Sequence, residues 1–141
     1  MAFLRLLILA LIISSCYDDG PRSVTPSELI AGNDAYGRTY QIDQIEIELG
    51  TVQPHRCVTD NFITYYPNGT YEINEGGSKC DPGDPPGVIG TWFINQRNNQ
   101  LVVEIGDSAQ RWNIDEINEN AHQITSSFEE GYRTYFFVSS R

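Results

Sequence analysis

From residue 38 to residue 139 apolar and polar side chains alternate with a period of two, and the alternation breaks at short clusters of turn-forming residues. A strand turns successive side chains to opposite faces, so each alternating run predicts a β-strand with one wet face. Ile45, Ile47 and Leu49 alternate with Glu46 and Glu48, while Tyr40 and Ile42 fall in the opposite phase. One extra residue near Asp43 and Gln44, a β-bulge, brings the two halves into one strand. Residues 61–66 and 70–74 flank Pro67-Asn68-Gly69, whose Asn-Gly pair tolerates the positive φ of a tight hairpin turn. Residues 88–95, 100–105, 111–117, 122–128 and 132–139 continue the series, and the breaks between them are rich in Gly, Asn, Asp and Ser.

Eight such strands with almost no helical pattern predict an all-β domain, an antiparallel up-and-down meander that closes into a barrel and so removes its exposed edges. A β-sandwich is the other architecture this spacing allows. The faces expected inside carry Ile47, Tyr71, Ile73, Trp92, Ile94, Leu101, Val103, Ile105, Trp112, Ile114, Ile124 and Phe137. An eight-stranded barrel is just wide enough to be filled by side chains or to hold one small ligand. The two Trp and the several Ile favour filling. If a ligand enters, Trp92, Trp112 and Tyr71 are the residues expected to meet it, and Tyr65, Tyr66, Tyr132 and Tyr135 are further candidates for lining a mouth.

At 141 residues the chain suits one domain, placed here at residues 36–141. Nineteen acidic against nine basic residues give a net charge of −10, the wrong sign for the phosphate contacts of a nucleic-acid partner. Ahead of the domain, Arg5 and the apolar run of residues 6–13 read as a signal peptide over residues 1–15, because the run is too short to span a bilayer. Residues 17–35 are rich in Gly, Pro, Ser and Asp and read as part of a linker over residues 16–35.

Ile13-Ser14-Ser15-Cys16 resembles a bacterial lipobox, which implies cleavage before Cys16, lipidation of that cysteine and a membrane contact through the acyl chains. Two or more acyl chains give durable anchoring at about 0.8 kcal/mol per buried methylene. Tyr17 stands where an inner-membrane retention signal resembling that of some Gram-negative bacteria has an aspartate, so the expected address is the outer membrane, on its periplasmic or its outer surface. Asp18 and Asp19 resemble the surface-export signal of Bacteroidetes lipoproteins; an ordinary polar tether is the alternative. With Cys16 lipidated, Cys57 and Cys80 remain as a pair in an oxidising compartment and are expected to bridge, free or intermolecular thiols being the other possibility. A bridge closing about 24 residues contributes roughly 3 kcal/mol.

A glycine before a strand aromatic (Gly37 and Tyr40), a cysteine, the Asn-Gly-Thr hairpin, a second cysteine and Gly90-Thr91-Trp92 together resemble the bacterial lipocalin-like domain of small Bacteroidetes-type lipoproteins. The resemblance runs over about residues 36–138 and implies the barrel, the anchor and the cysteine pair. It supplies no binding residue: lipocalins carry Gly-x-Trp on the first strand, and here Gly90-Thr91-Trp92 falls on the fourth.

Nothing in the sequence calls for a cofactor or a metal. His55 and His122 are far apart, without Cys, Asp or Glu at ligand spacing, and both are expected at the surface. Asp81 and Asp84 sit in a Pro- and Gly-rich loop too poor in carboxylates for a calcium site. No nucleophile elbow or phosphate-binding loop is present, so a non-catalytic protein is expected. Two functions follow as expectations: an anchored barrel binding a small apolar or amphipathic molecule, or a filled scaffold binding a protein, as a lysozyme inhibitor or an accessory subunit does.

Overall fold

The computed structural model describes residues 22–128 and 131–140. The leader, Cys16, Asp18 and Asp19 lie outside the described residues. In chain order the elements are helix α1 (Pro26–Ala31), strands β1 (Arg38–Ile47) and β2 (Gly50–Val52), helix α2 (Arg56–Thr59), and strands β3 (Phe62–Tyr65), β4 (Thr70–Asn74), β5 (Gly87–Asn95), β6 (Gln100–Ile105), β7 (Ser108–Ile117), β8 (Ala121–Phe128) and β9 (Gly131–Ser139). Every pairing is antiparallel between sequence neighbours, apart from β1–β3 across the short β2 and β1–β9, which closes the sheet. The result is an eight-stranded antiparallel barrel with one additional strand, as the alternation predicts.

The additional strand follows from unequal lengths. β3 covers only Arg38–Tyr40 of β1, which would leave the far half of that strand with bare backbone donors and acceptors. β2 folds back to pair with Ile45–Ile47 and covers it. The bulge expected near Asp43 is present: the β1–β9 register steps from Ile42 opposite Phe137 to Gln44 opposite Phe136. An unanticipated second bulge skips Asp115 between Ile114 and Glu116 in β7.

Two glycines explain the hairpin and its neighbour. Gly69 has φ of +84°, and its amide donates to the Tyr66 carbonyl at 3.0 Å. Asn68 does not share the positive φ, because Pro67 fixes a negative φ at the first corner and the left-handed residue comes only after a turn of the common type. Gly90 lies so close to β6 that a Cβ there would stand 2.2 Å from the Glu104 carbonyl oxygen. Only glycine allows that approach.

Of the twelve residues expected inside, eleven belong to the core or pack against it. Ile47 is the exception: its phase is inward, but it pairs with Gly50 and Arg133 at the barrel's rim, beyond the core. Tyr40, Ile63 and Tyr65 also belong to the interior.

The reading of residues 17–35 as linker is corrected from Thr25 onward. Thr25 and Glu28 form a reciprocal capping box, with Thr25 N donating to Glu28 Oε2 at 2.8 Å and Glu28 N to Thr25 Oγ1 at 3.2 Å. Pro26 occupies the first helical turn, where its missing N–H costs nothing. Ile30 and Ala31, 0% and 1% exposed, enter the core, so the packed unit starts before residue 36. Burial of one isoleucine contributes about 1.5–3 kcal/mol, ample reason for a six-residue helix to dock although it would not persist alone.

Cys57 and Cys80 are joined by a disulfide, with Cα atoms 5.1 Å apart. It ties α2 to the loop between β4 and β5. Among the described residues no helix is long and apolar enough to cross a membrane.

Candidate functional site

The turns of the barrel gather at two ends, and the interior is packed differently at each. At the first end lie the start of β1 and the 66–69, 96–99 and 118–120 turns. Here α1 forms the closure. The Tyr40 hydroxyl donates to the Ile30 carbonyl at 2.9 Å, and Arg38 Nη1 donates to the carbonyls of Leu29 at 2.8 Å and Glu119 at 2.9 Å. The bonds to Leu29 and Ile30 use helix carbonyls that have no partner within the helix.

Above α1 sits an aromatic layer. Tyr65 meets Tyr40 and Trp92 edge-on, with ring centroids 5.9 and 5.3 Å away. The Trp92 indole donates to the Tyr66 carbonyl at 2.9 Å. His122, expected at the surface, lies within this layer and is only 2% exposed. Its ring stacks on Phe137 at 4.5 Å and stands edge-on to Tyr40 at 4.5 Å. Neither ring nitrogen has a hydrogen-bond partner among the described residues, and burial lowers its pKa to about 3. The sequence places His122 at the first residues of a strand beside a turn, where the inward phase alone distinguishes it from a surface residue. His55, in contrast, is exposed and caps α2, its Nδ1 accepting from the Cys57 amide at 3.4 Å.

The second end is open over a cup of about 210 Å³. Tyr65 and Tyr71 line it together with Ile42, Ile63, Ile73, Ile124 and Phe137; Trp112 and Tyr135 contribute further aromatic surface. Val58 of α2, Asn61 and Gln110 complete the lining. The cup has no Asp, Glu, Lys, Arg or His in its lining. Tyr65 and Tyr71 are paired across β3 and β4, which brings their rings to 5.2 Å. Burial raises the pKa of both phenols, so both stay protonated at neutral pH. Their hydroxyls have no hydrogen-bond partner among the described residues, yet they are not among the polar atoms sealed from solvent without one, which are Asp60 Oδ1 and the His122 nitrogens.

Of the three residues expected to meet a ligand, the cup brings together Tyr71 and Trp112 and leaves out Trp92. Trp92 instead borders a separate groove of about 390 Å³ outside the barrel, between α1 and the Pro67–Gly69 turn. Tyr135 lines the cup, Tyr132 is exposed, and the Tyr66 hydroxyl donates to Glu72 Oε2 at 2.9 Å. Val58 and Asn61 carried no signal in the sequence, because they reach the cup through the placement of α2 and of the residue before β3 and not through strand periodicity; Gln110 shares the inward phase of Trp112 in β7, but it is polar and precedes the strand expected from residue 111. In the loop after Cys80, the carboxylates of Asp81 and Asp84 accept backbone N–H groups of Gly83 and Asp81 at 2.8 and 2.9 Å. Among the described residues no group of three or more His, Cys, Asp or Glu side chains converges.

No family model matches the chain, and no curated protein matches its sequence.

Proposed function

We propose that this chain is a lipid-anchored lipoprotein of the bacterial outer membrane whose barrel is a non-catalytic binding module. The observation that carries the binding reading is the asymmetry of the interior: one end is closed by α1, while the other keeps an open, uncharged cup of aromatic and aliphatic side chains. Its 210 Å³ lies below the roughly 300 Å³ at which ordinary small-molecule clefts begin. The occupant is therefore a small apolar or amphipathic molecule, or one such group of a larger one, and not a bulky ligand enclosed whole. The anchor rests on the lipobox resemblance around Cys16, and the Cys57–Cys80 bridge fits the oxidising compartment that such export implies. Asp18 and Asp19 are the residues that would direct display on the outer surface.

Calorimetric titration with small amphiphiles tests the binding reading, with Trp112→Ala as the variant expected to abolish uptake. Absence of heat for every amphiphile tried at millimolar concentration rejects it. Metabolic labelling with a clickable fatty acid tests the anchor, and labelling that persists in Cys16→Ser rejects it.

A second reading has its own observation. Ile89 and Phe93 project from the outer face of β5, 71% and 48% exposed, on a chain of net charge −10. A filled scaffold that docks a cationic protein there, in the manner of a lysozyme inhibitor or a complex subunit, uses such a surface. Lysozyme that keeps full activity in excess purified protein excludes the inhibitor version.

A further inference from the structure

The cup's polar inventory narrows what it takes. At its floor are two phenol hydroxyls without partners, each able to donate and to accept. Around them are aliphatic side chains, Phe137, Trp112 and Tyr135, with the neutral carboxamides of Asn61 and Gln110, and no charged group of either sign lines the cavity. A carboxylate brought to this floor would lose its hydration with no cation to replace it, inside a protein that already carries net charge −10. An alkylammonium would find aromatic faces but no counter-charge. A neutral oxygen meets neither penalty. It also answers the floor's unmade hydrogen bonds, which a purely apolar ligand would bury unpaired.

From this juxtaposition we infer that the cup selects a neutral molecule with one hydrogen-bonding oxygen, an alcohol, phenol or ketone, bound oxygen first against Tyr65 and Tyr71 with its apolar body toward Trp112 and the mouth. The inference rests on the cup being a binding site and adds the class of ligand and its orientation. The closed end supplies the internal contrast: Tyr40, the equivalent buried phenol there, donates its hydrogen bond to the Ile30 carbonyl. Tyr65 and Tyr71 carry the same group with the partner missing.

Matched probes of one chain length test it. 1-Octanol, octanoate and octylammonium are titrated calorimetrically at pH 8 into the chain from residue 16 onward carrying Cys16→Ser, so that no acyl chain competes. The expected result is that 1-octanol binds at least about tenfold more tightly than either ion. Tyr65→Phe and Tyr71→Phe, which keep the ring and remove only the hydroxyl, each weaken 1-octanol by about three- to tenfold and leave the ions unchanged. Trp112→Ala abolishes binding of the alcohol. Equal or tighter binding of an ion overturns the neutral-oxygen inference while the cup remains a binding site, as does alcohol binding indifferent to both Tyr→Phe changes. Alcohol binding indifferent to Trp112→Ala places the ligand elsewhere and overturns it too. If none of the three probes binds, the cup reading and this inference fall together.

Discussion

At the end of the barrel where β1 begins, a six-residue helix seals the interior; at the end where β1 finishes, the strands stop around an open cup. Both ends are lined by tyrosines from neighbouring strands, yet the polar atoms fare differently. In the closed half the Tyr40 hydroxyl, the Arg38 guanidinium and the Trp92 indole all reach backbone carbonyls. In the open half the Tyr65 and Tyr71 hydroxyls reach none among the described residues. A buried hydrogen bond contributes about 1 kcal/mol net, whereas an unmatched buried polar group costs about 1–3 kcal/mol. One end thus uses its polar chemistry to hold the fold, and the other leaves two hydroxyls to the ligand proposed above. His122 lies between the two and serves neither, since both its ring nitrogens are buried without partners.

The comparison makes testable demands, and the largest falls on the closed end. Ile30→Ala should cost about 2–5 kcal/mol in urea denaturation, because it empties the position that plugs the barrel and leaves little room for collapse. A cost below about 1 kcal/mol would mean that α1 rests on the barrel without closing it. Removing the disulfide by Cys57→Ser with Cys80→Ser should cost about 3 kcal/mol. Hydrogen exchange should then quicken around α2 and the loop after β4, with the amides of α1 as protected as before. Equal loosening at both ends would deny their independence.

The middle layer gives a pH signature. The unfolded chain takes up a proton on His122 as pH falls through about 6.5, while the folded chain resists until about 3. Between those values the unfolded state binds more protons, so stability is fully present above about pH 6.5 and declines as pH drops, by about 2 kcal/mol from pH 7 to pH 5. The titratable rings packed against it, Tyr40 and Tyr65, stay neutral across this range, and Asp43 and Glu116, which line a cavity with His122, form no ion pair to it among the described residues. His122→Phe should remove this decline and should be the more stable protein at pH 5. A variant with the same pH profile as the parent would show that other groups set the acid limit. The smallest effect separates the two kinds of tyrosine: Tyr40→Phe should cost about 1 kcal/mol and Tyr71→Phe less than about 0.5 kcal/mol, since only the first loses a bond. Equal costs would erase the distinction between the ends.

Much of the barrel is legible in the chain because strand periodicity is a local property. The phase break between Ile42 and Ile45 reports the bulge at Asp43, and the inward phase identifies the core from Tyr71 to Phe137. Helix α1 was legible in one respect that periodicity does not register: Thr25 and Glu28 stand at capping-box spacing with Pro26 between them. Six residues with two buried apolar side chains produce no helical period, so the segment reads as a tether. Ile47 misleads for the opposite reason, having the right phase in a strand that outruns the core. The cup was half legible. Tyr71 and Trp112 follow from phase and size, but phase does not say at which height in the barrel a residue sits, and height is what separates Trp92 from them.

What the sequence by itself determined is the succession of the eight barrel strands, their turns, the first bulge and the face of most core residues, because each depends on neighbours within a few positions along the chain. What only the tertiary structure decided is which end of the barrel closes, where His122 goes, and which tyrosines keep a hydroxyl unmatched. Those outcomes depend on residues such as Ile30 and Tyr40, Cys57 and Cys80, or Tyr65 and Trp112, whose meeting is fixed by the closure of β1 against β9 and by the docking of α1 and α2 at opposite ends.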